Sequence, residues 1–196
     1  MLKVLVKGCE PTKATEFSSC IDLYASQDVV IRAGETKIVP LGVKIDLEKI
    51  LDGIDSIYPH NEGMLPEYKM DYFMKTHCFV LKCRSSLTLE PKEDKPHYKG
   101  LIIANGVGEI DIDYPSEIGI ILHKPIKATD IASMIMNTHE AFKDNEHIDC
   151  DVIIIKKGEK IAQIKLVEHK SNLIGVSSKN KRVGGYGSTG GNNATS

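Results

Sequence analysis

Short apolar runs separated by turn residues recur along the whole chain. They are rich in Ile and Val, which favour the extended backbone of half-buried strands over packed helices. Turn signals such as Ala33-Gly34-Glu35 and Lys157-Gly158-Glu159 lie between them. The pattern therefore predicts an all-β barrel or sandwich. The predicted strands are Lys3–Val6, Ile21–Tyr24, Val29–Ile31, Lys37–Leu47, Cys78–Cys83, Leu101–Ala104, Ile118–Leu122, Val152–Ile155 and Ile161–Val167.

Two stretches interrupt the strand pattern and are interpreted as insertions, at about 51–76 and 127–149. The first is polar and irregular, and we predict a short helix over 66–74 with proline in its first turn. In the second, Thr129 is a candidate N-cap for a helix over about 130–142, where apolar residues follow helical spacing.

The last residues of the chain differ in composition from the rest. Residues 184–196 contain five glycines and, apart from Tyr186, only small or polar residues, so burial cannot stabilise an ordered conformation. We predict a single domain over residues 1–181 and a flexible, Gly-rich arm over 182–196. The arm is either a plain tail or a segment that orders over a ligand, because flexible N–H groups beside hydroxyls suit a phosphate chain.

Composition excludes several classes of protein. The chain of 196 residues carries 25 basic and 27 acidic side chains, a balance that argues against stable nucleic-acid binding. The apolar runs are too short to cross a bilayer, and the first residues lack a secretory signal, so a cytoplasmic protein without membrane binding is expected. Five cysteines without CxxC pairing and seven scattered histidines argue against a disulfide framework or a zinc site.

Five segments carry the candidate chemistry. They are Ile21-Asp22-Leu23-Tyr24-Ala25, Cys83-Arg84-Ser85-Ser86-Leu87, Asn105-Gly106-Val107-Gly108-Glu109-Ile110-Asp111-Ile112-Asp113-Tyr114, Gly158-Glu159-Lys160-Ile161-Ala162-Gln163 and Arg182-Val183-Gly184-Gly185-Tyr186-Gly187-Ser188-Thr189-Gly190. In order and content they resemble the five motifs of the trimeric dUTP pyrophosphatases, the dUTPases. Each segment alone is also compatible with an ordinary turn, strand or surface loop.

The resemblance implies a fold, a reaction and an assembly. The fold is a distorted, jelly-roll-like β-barrel, here with the two inserted segments. The reaction is Mg²⁺-dependent hydrolysis of dUTP to dUMP and pyrophosphate, which limits uracil incorporation into DNA and supplies dUMP for dTMP synthesis. The assembly is a homotrimer with shared sites: motifs one, two and four come from one subunit, motif three from a second and motif five from a third.

Two carboxylates receive specific roles from the resemblance. Asp111 positions and deprotonates the attacking water, a task that suits a carboxylate near an apolar hairpin. Strand spacing alone does not choose between Asp111 and Asp113, and only the resemblance selects Asp111. Asp22 is implied to hold the water shell of Mg²⁺, a cation that retains several of its waters in proteins.

The other implied roles concern the nucleotide. Asn105 reads the uracil, Tyr114 packs under the deoxyribose, and Gln163 contacts the α-phosphate side. Arg84 and Ser85 suit bridging phosphate oxygens. In the arm, Tyr186 stacks over the uracil. Arg182 and the hydroxyls of Ser188 and Thr189 contact the terminal phosphates. The complete implied substrate-binding set is Arg84, Ser85, Ser86, Asn105, Gly108, Ile110, Tyr114, Gln163, Arg182, Tyr186, Gly187, Ser188 and Thr189.

The sequence departs from the family pattern in several places. Cys83 and Ser86 replace a proline and a glycine, Glu109 occupies a position that is usually apolar, and Pro115-Ser116 replaces the frequent Arg-Gly. The fifth motif is one residue shorter between its arginine and its aromatic residue, so either Arg182 or Lys181 takes the phosphate role.

Two alternatives remain open from the sequence. The dCTP deaminases share the fold and often carry Arg-Ser-Ser-Leu, but Ile120-Ile121-Leu122 lies where their glutamate is needed. A module that binds a protein partner through its insertions, with or without dUTP hydrolysis, is the other alternative.

Overall fold

The computed structural model describes residues 1–60, 63–95, 99–132, 135 and 152–176. Strands dominate this part of the chain, which confirms the predicted all-β class. The strands are β1 (Leu2–Val4), β2 (Ile21–Tyr24), β3 (Val29–Arg32), β4 (Thr36–Pro40), β5 (Val43–Ile45), β6 (His77–Cys83), β7 (Ile102–Ile103), β8 (Gly108–Asp111), β9 (Gly119–His123), β10 (Val152–Ile155) and β11 (Lys160–Glu168). The helices are α1 (Leu47–Asp52), α2 (Ile54–Ile57), α3 (Pro66–Thr76) and α4 (Ser85–Thr88), followed by the 3₁₀ turn η1 (Ser171–Ile174).

The described strands form four antiparallel sheets. The largest has the order β2-β11-β6-β8, and a second has the order β4-β9-β7. Two further pairs, β1-β5 and β3-β10, join strands that are distant in sequence. In the largest sheet, β2 from the start of the chain lies beside β11 from its end, so segments far apart in sequence meet in one sheet.

One apolar core lies between the sheets and includes the first inserted segment. Strand residues such as Leu23, Ile120 and Ile161 are fully buried, and Ile54 of α2 and Phe73 of α3 belong to the same buried cluster. The predicted short helix is confirmed: it begins at proline and ends two residues later than expected, at Thr76. The inserted helices therefore contribute to the core.

The second inserted segment is described only at its start. Residues 128–132 and 135 are helical, so the helix begins before the predicted cap, Thr129. The Lys127 N–H donates to the Asp130 carboxylate over 2.7 Å, which satisfies one of the unpaired donors at a helix start. The predicted continuation over 136–149 lies outside the described residues.

The predicted strand over 37–47 is wrong in one respect, because the chain turns at Gly42. The residue has a φ of +67°, and the turn separates β4 from β5. A Cβ on Gly42 would lie 2.7 Å from Cys9 Cβ, so only glycine fits there. The sequence pattern predicts a single strand here because apolar residues continue through the turn.

Among the described residues, none of the helices combines the length and the apolar character that a membrane-spanning helix requires.

Candidate active site

Three residues from the first, second and fourth motifs meet at one carboxylate. Asp22 is fully buried, and its Oδ1 accepts hydrogen bonds from Arg84 Nη1 and, over 3.0 Å, from Gln163 Nε2. We call Asp22, Arg84, Gln163 and the neighbouring Lys160 the Asp22 cluster.

The register of the largest sheet produces this arrangement. Gln163 of β11 lies directly opposite Asp22 of β2, and Ala162 lies opposite Cys83 at the end of β6. The Arg84 N–H then donates to the Ile161 carbonyl over 3.1 Å, which fixes the backbone where β6 ends. Three segments that are distant in sequence are thus held together by strand pairing.

Lys160 belongs to the cluster, although the sequence analysis gave it no role. Its Nζ lies 3.2 Å from Asp22 Oδ2 and 5.6 Å from the centre of the Tyr24 ring. Burial raises the pKa of Asp22, but the hydrogen bonds from Gln163 and Arg84 and the Lys160 ammonium outweigh burial and lower the pKa below its usual value. Asp22 is therefore held as a carboxylate.

Asp22 Oδ2 fits the expected role beside a hydrated metal ion. The atom is buried and, among the described residues, has no hydrogen-bond partner, although the Lys160 ammonium lies near it. A buried carboxylate oxygen without a hydrogen bond is suited to accept one from a metal-bound water. Nowhere in the described ranges do three or more His, Cys, Asp or Glu side chains group together as metal ligands.

The two serines of the second motif follow Arg84 directly. Ser85 and Ser86 are the first residues of α4, Ser85 exposed and Ser86 half-buried. The next residue, Leu87, is buried and its N–H donates to the Arg84 carbonyl over 3.0 Å. This hydrogen bond closes the turn that carries both serines, and the buried Leu87 side chain anchors the turn on the core.

Five residues of the third motif line a second feature, a cavity of about 240 Å³. These are Asn105, Gly108, Glu109, Ile110 and Tyr114, and residues of β6, β7 and β9 with Ile118 complete the wall. Gly108 leaves room there, because a Cβ on it would already touch the Leu81 side chain at 3.4 Å. The cavity combines apolar walls with polar groups such as Asn105 and Glu109, a combination found in small-molecule sites.

Glu117 supports the cavity, and the sequence analysis missed it. Its carbonyl accepts a long hydrogen bond from the buried Tyr114 hydroxyl, at 3.5 Å. Its carboxylate accepts from Ser26 Oγ at 3.1 Å and from the Gly42 N–H at 2.6 Å. No motif pointed to this role, because its partners are distant in sequence.

The third motif does not form the hairpin that the resemblance implies. β7 pairs with β9, and β8 pairs with β6, so the two strands that flank Asn105-Gly106 belong to different sheets. Gly106 has a φ of +72°, which lets the chain turn sharply from one sheet to the other. The turn and its residues are present, but β7 and β8 are not paired with each other.

Asp111 lies apart from both the cavity and the Asp22 cluster. Along β8, Gly108 and Ile110 are half-buried whereas Glu109 and Asp111 are exposed, so Asp111 projects from the face opposite to Ile110. Asp111 is paired with Cys78, six residues before Arg84, which corresponds to a separation of about 20 Å along the strand. Burial, and then the charges of Glu109 and Asp111, raise the pKa of the Cys78 thiol.

Arg182, Tyr186, Gly187, Ser188 and Thr189, and the alternative Lys181, all lie outside the described residues.

Comparisons with known proteins point to one family. The chain is 28% identical to the deoxyuridine 5'-triphosphate nucleotidohydrolase of Rickettsia akari, over 93% of this chain and 89% of the relative. It is 29% identical to the enzyme of the same name from Hydrogenobaculum sp., over 96% of this chain and 99% of the relative. The chain is similar to the dUTPases over nearly its whole length. No protein-family model matches it.

Solved dUTPase structures share the fold. A mutant dUTPase from phage phi11 of S. aureus superposes with a TM-score of 0.52 at 14% identity, covering 95% of this chain and 97% of that one. It is described as showing the coordination of a structural Mg(II) ion. Another structure of the phage phi11 dUTPase, described as showing its species-specific insert, gives a TM-score of 0.51 at 16% identity, covering 96% of this chain and 97% of that one. The expected dUTPase-like β-barrel fold is thus confirmed.

Proposed function

We propose that this protein hydrolyses dUTP to dUMP and pyrophosphate. The main support is the convergence of Asp22, Arg84 and Gln163, which lie far apart in sequence and meet at one buried carboxylate. The dUTPase names of relatives that cover nearly the whole chain agree with this activity.

The described residues suit separate parts of the nucleotide. The cavity beside Asn105 and Tyr114 suits a pyrimidine and its deoxyribose, because polar groups at the edge can read the base while the ring excludes a 2′-hydroxyl. Arg84, Ser85 and Gln163 offer a guanidinium, a hydroxyl and an amide to phosphate oxygens, where negative charge develops during the reaction. Bound Mg²⁺ would supply further charge neutralisation on the phosphates, with Asp22 Oδ2 accepting from its water shell.

We further propose that the active site is shared between subunits of a homotrimer. A carboxylate that orients the attacking water must lie near the α-phosphorus, yet Asp111 is about 20 Å from Arg84 within one chain. A neighbouring subunit can bring its own Asp111 to the Asp22 cluster. The arm over 182–196, attached to a domain over 1–181, would close the site from a third subunit with Arg182, Tyr186, Gly187, Ser188 and Thr189.

The deaminase alternative is not favoured. In the strand where a dCTP deaminase needs its glutamate, Ile120 and Leu122 are buried in the core. A cytoplasmic location and a protein partner that binds the insertions remain predictions.

The direct test is a steady-state panel that measures pyrophosphate released from dUTP, dTTP, dCTP and UTP, with and without Mg²⁺. We expect turnover of dUTP with Mg²⁺ and little turnover of the others. Asp111→Asn should retain affinity for dUTP and lose most turnover. Ammonia released from dCTP, or wild-type turnover in Asp111→Asn, would contradict the proposal.

A further inference from the structure

A β-bulge in β11 changes the side of the sheet on which Lys160 lies. Opposite β2, Gln163 pairs with Asp22, Ala162 with Leu23 and Lys160 with Tyr24, so Ile161 is an extra residue in β11. Without it, strict alternation would place Lys160 and Gln163 on opposite faces. The consecutive residues Ile161 and Ala162 are both fully buried, which shows that alternation is broken at this point. The bulge therefore places Lys160 on the face of Asp22 and Gln163.

The Lys160 ammonium is positioned but still accessible. It lies 3.2 Å from Asp22 Oδ2 and 5.6 Å from the centre of the Tyr24 ring. The side chain keeps 39% of its surface exposed, whereas the Asp22 side chain keeps 1%. An anion arriving from solvent can thus reach the exposed side of the ammonium.

The local charge balance favours an anion. Arg84 and Lys160 both face Asp22, so two positive charges surround one carboxylate. Lys82, directly opposite Gln163 on the same face, is exposed and adds a third positive charge. A group that only neutralised Asp22 would not need this surplus, whereas a polyphosphate would be stabilised by it.

We propose that Lys160 binds the phosphate chain of the nucleotide, and that the bulge at Ile161 is the feature that delivers it there. The inference rests on the proposed function, since it assigns one more phosphate contact to the same site. It gives a role to a bulge that turns a partly exposed cation toward Asp22 and Gln163.

The test compares the affinities of full-length Lys160→Gln, Lys160→Arg and wild type for inorganic triphosphate and for non-hydrolysable α,β-imido-dUTP, by calorimetry. Loss of one charge-assisted hydrogen bond predicts affinities about 10-fold to 100-fold weaker for Lys160→Gln, with most of the affinity restored by Lys160→Arg. Lys156→Gln is the matched control. It removes a cation four positions away that pairs with the exposed Asp28, and it should bind both ligands as wild type does.

The outcomes separate this inference from the proposed function. If wild type hydrolyses dUTP but Lys160→Gln binds both ligands normally, Lys160 has no role in phosphate binding. If wild type binds triphosphate through Lys160 without hydrolysing dUTP, the proposed function fails and the phosphate contact stands. Equal weakening in Lys156→Gln, or no triphosphate binding by wild type, would overturn the inference. A merely structural role would lower the melting temperature of Lys160→Gln while leaving both affinities unchanged.

Discussion

At the scale of single residues, Asp22 links the chemistry of the site to the stability of the fold. Its pKa is lowered because the hydrogen bonds from Gln163 and Arg84 and the Lys160 ammonium outweigh burial. A carboxyl whose pKa is lower in the folded state stabilises the fold above its unfolded pKa, and this contribution is lost as pH falls through the folded pKa.

We therefore expect Asp22→Asn to lower the free energy of unfolding most at pH 7. The difference from wild type should shrink below about pH 4, the ordinary range of an aspartate, because wild type then loses the same charge. Urea unfolding of both proteins between pH 7 and pH 3 measures this difference. Glu16→Gln removes an exposed carboxylate as a control and should show little change at either pH. A difference that stays constant with pH would contradict the argument.

Residue chemistry was only partly predictable from the sequence. Asp22, Arg84 and Gln163 could be named because their motifs resemble those of dUTPases, and strand pairing brings them together. Lys160 was missed because its position depends on a bulge that the apolar pattern does not display. Glu117 was missed for a similar reason, since its partners Ser26 and Gly42 are distant in sequence.

At the scale of elements, short and well-bounded patterns were predicted best. The bounds of β2 and β10 match the prediction, and α3 begins at its proline as expected. The segment over 37–47 was predicted wrongly because its apolar residues continue through Gly42, whose left-handed backbone is a tertiary requirement. Cys9 packs against that glycine, and such a contact between distant segments leaves no local signal.

The turn at Gly42 gives a prediction at this scale. Gly42→Ala adds a Cβ that would lie 2.7 Å from Cys9 Cβ and 3.2 Å from Ser26 Cβ. Gly8→Ala is the matched control, because Gly8 also has a positive φ, +89°, but nothing lies within 4 Å of its Cβ position. Both variants bear the backbone strain, of about 1–2 kcal/mol. The clash should cost Gly42→Ala about 1–3 kcal/mol more in urea unfolding, and equal losses would show that the contact is unimportant.

At the scale of the whole molecule, the path of the chain between sheets separates the parts of the candidate site. β7 and β8 belong to different sheets, and Asp111 at the end of β8 is paired with Cys78 at the start of β6. The Asp22 cluster lies at the other end of β6. The family resemblance implies a local hairpin here, whereas the observed strand partners are non-local. Under the proposed function, a site that uses both ends of β6 would take one end from a second copy of the chain.

This geometry predicts that two inactive variants restore each other. In a mixed trimer of Asp111→Asn and Arg84→Gln chains, a site can take its intact Arg84 from one variant and its intact Asp111 from the other. Equal co-expression should restore about a quarter of the wild-type sites in a symmetric assembly, because each residue comes from a different subunit. The control pair is Arg84→Gln with Gln163→Ala. Arg84 and Gln163 meet at Asp22 within one chain, so every site in this mixed trimer lacks one of the two side chains. dUTP turnover by the purified mixed trimers measures recovery. Equal recovery in both pairs, or recovery in neither, would mean that Asp111 and Arg84 do not act across subunits.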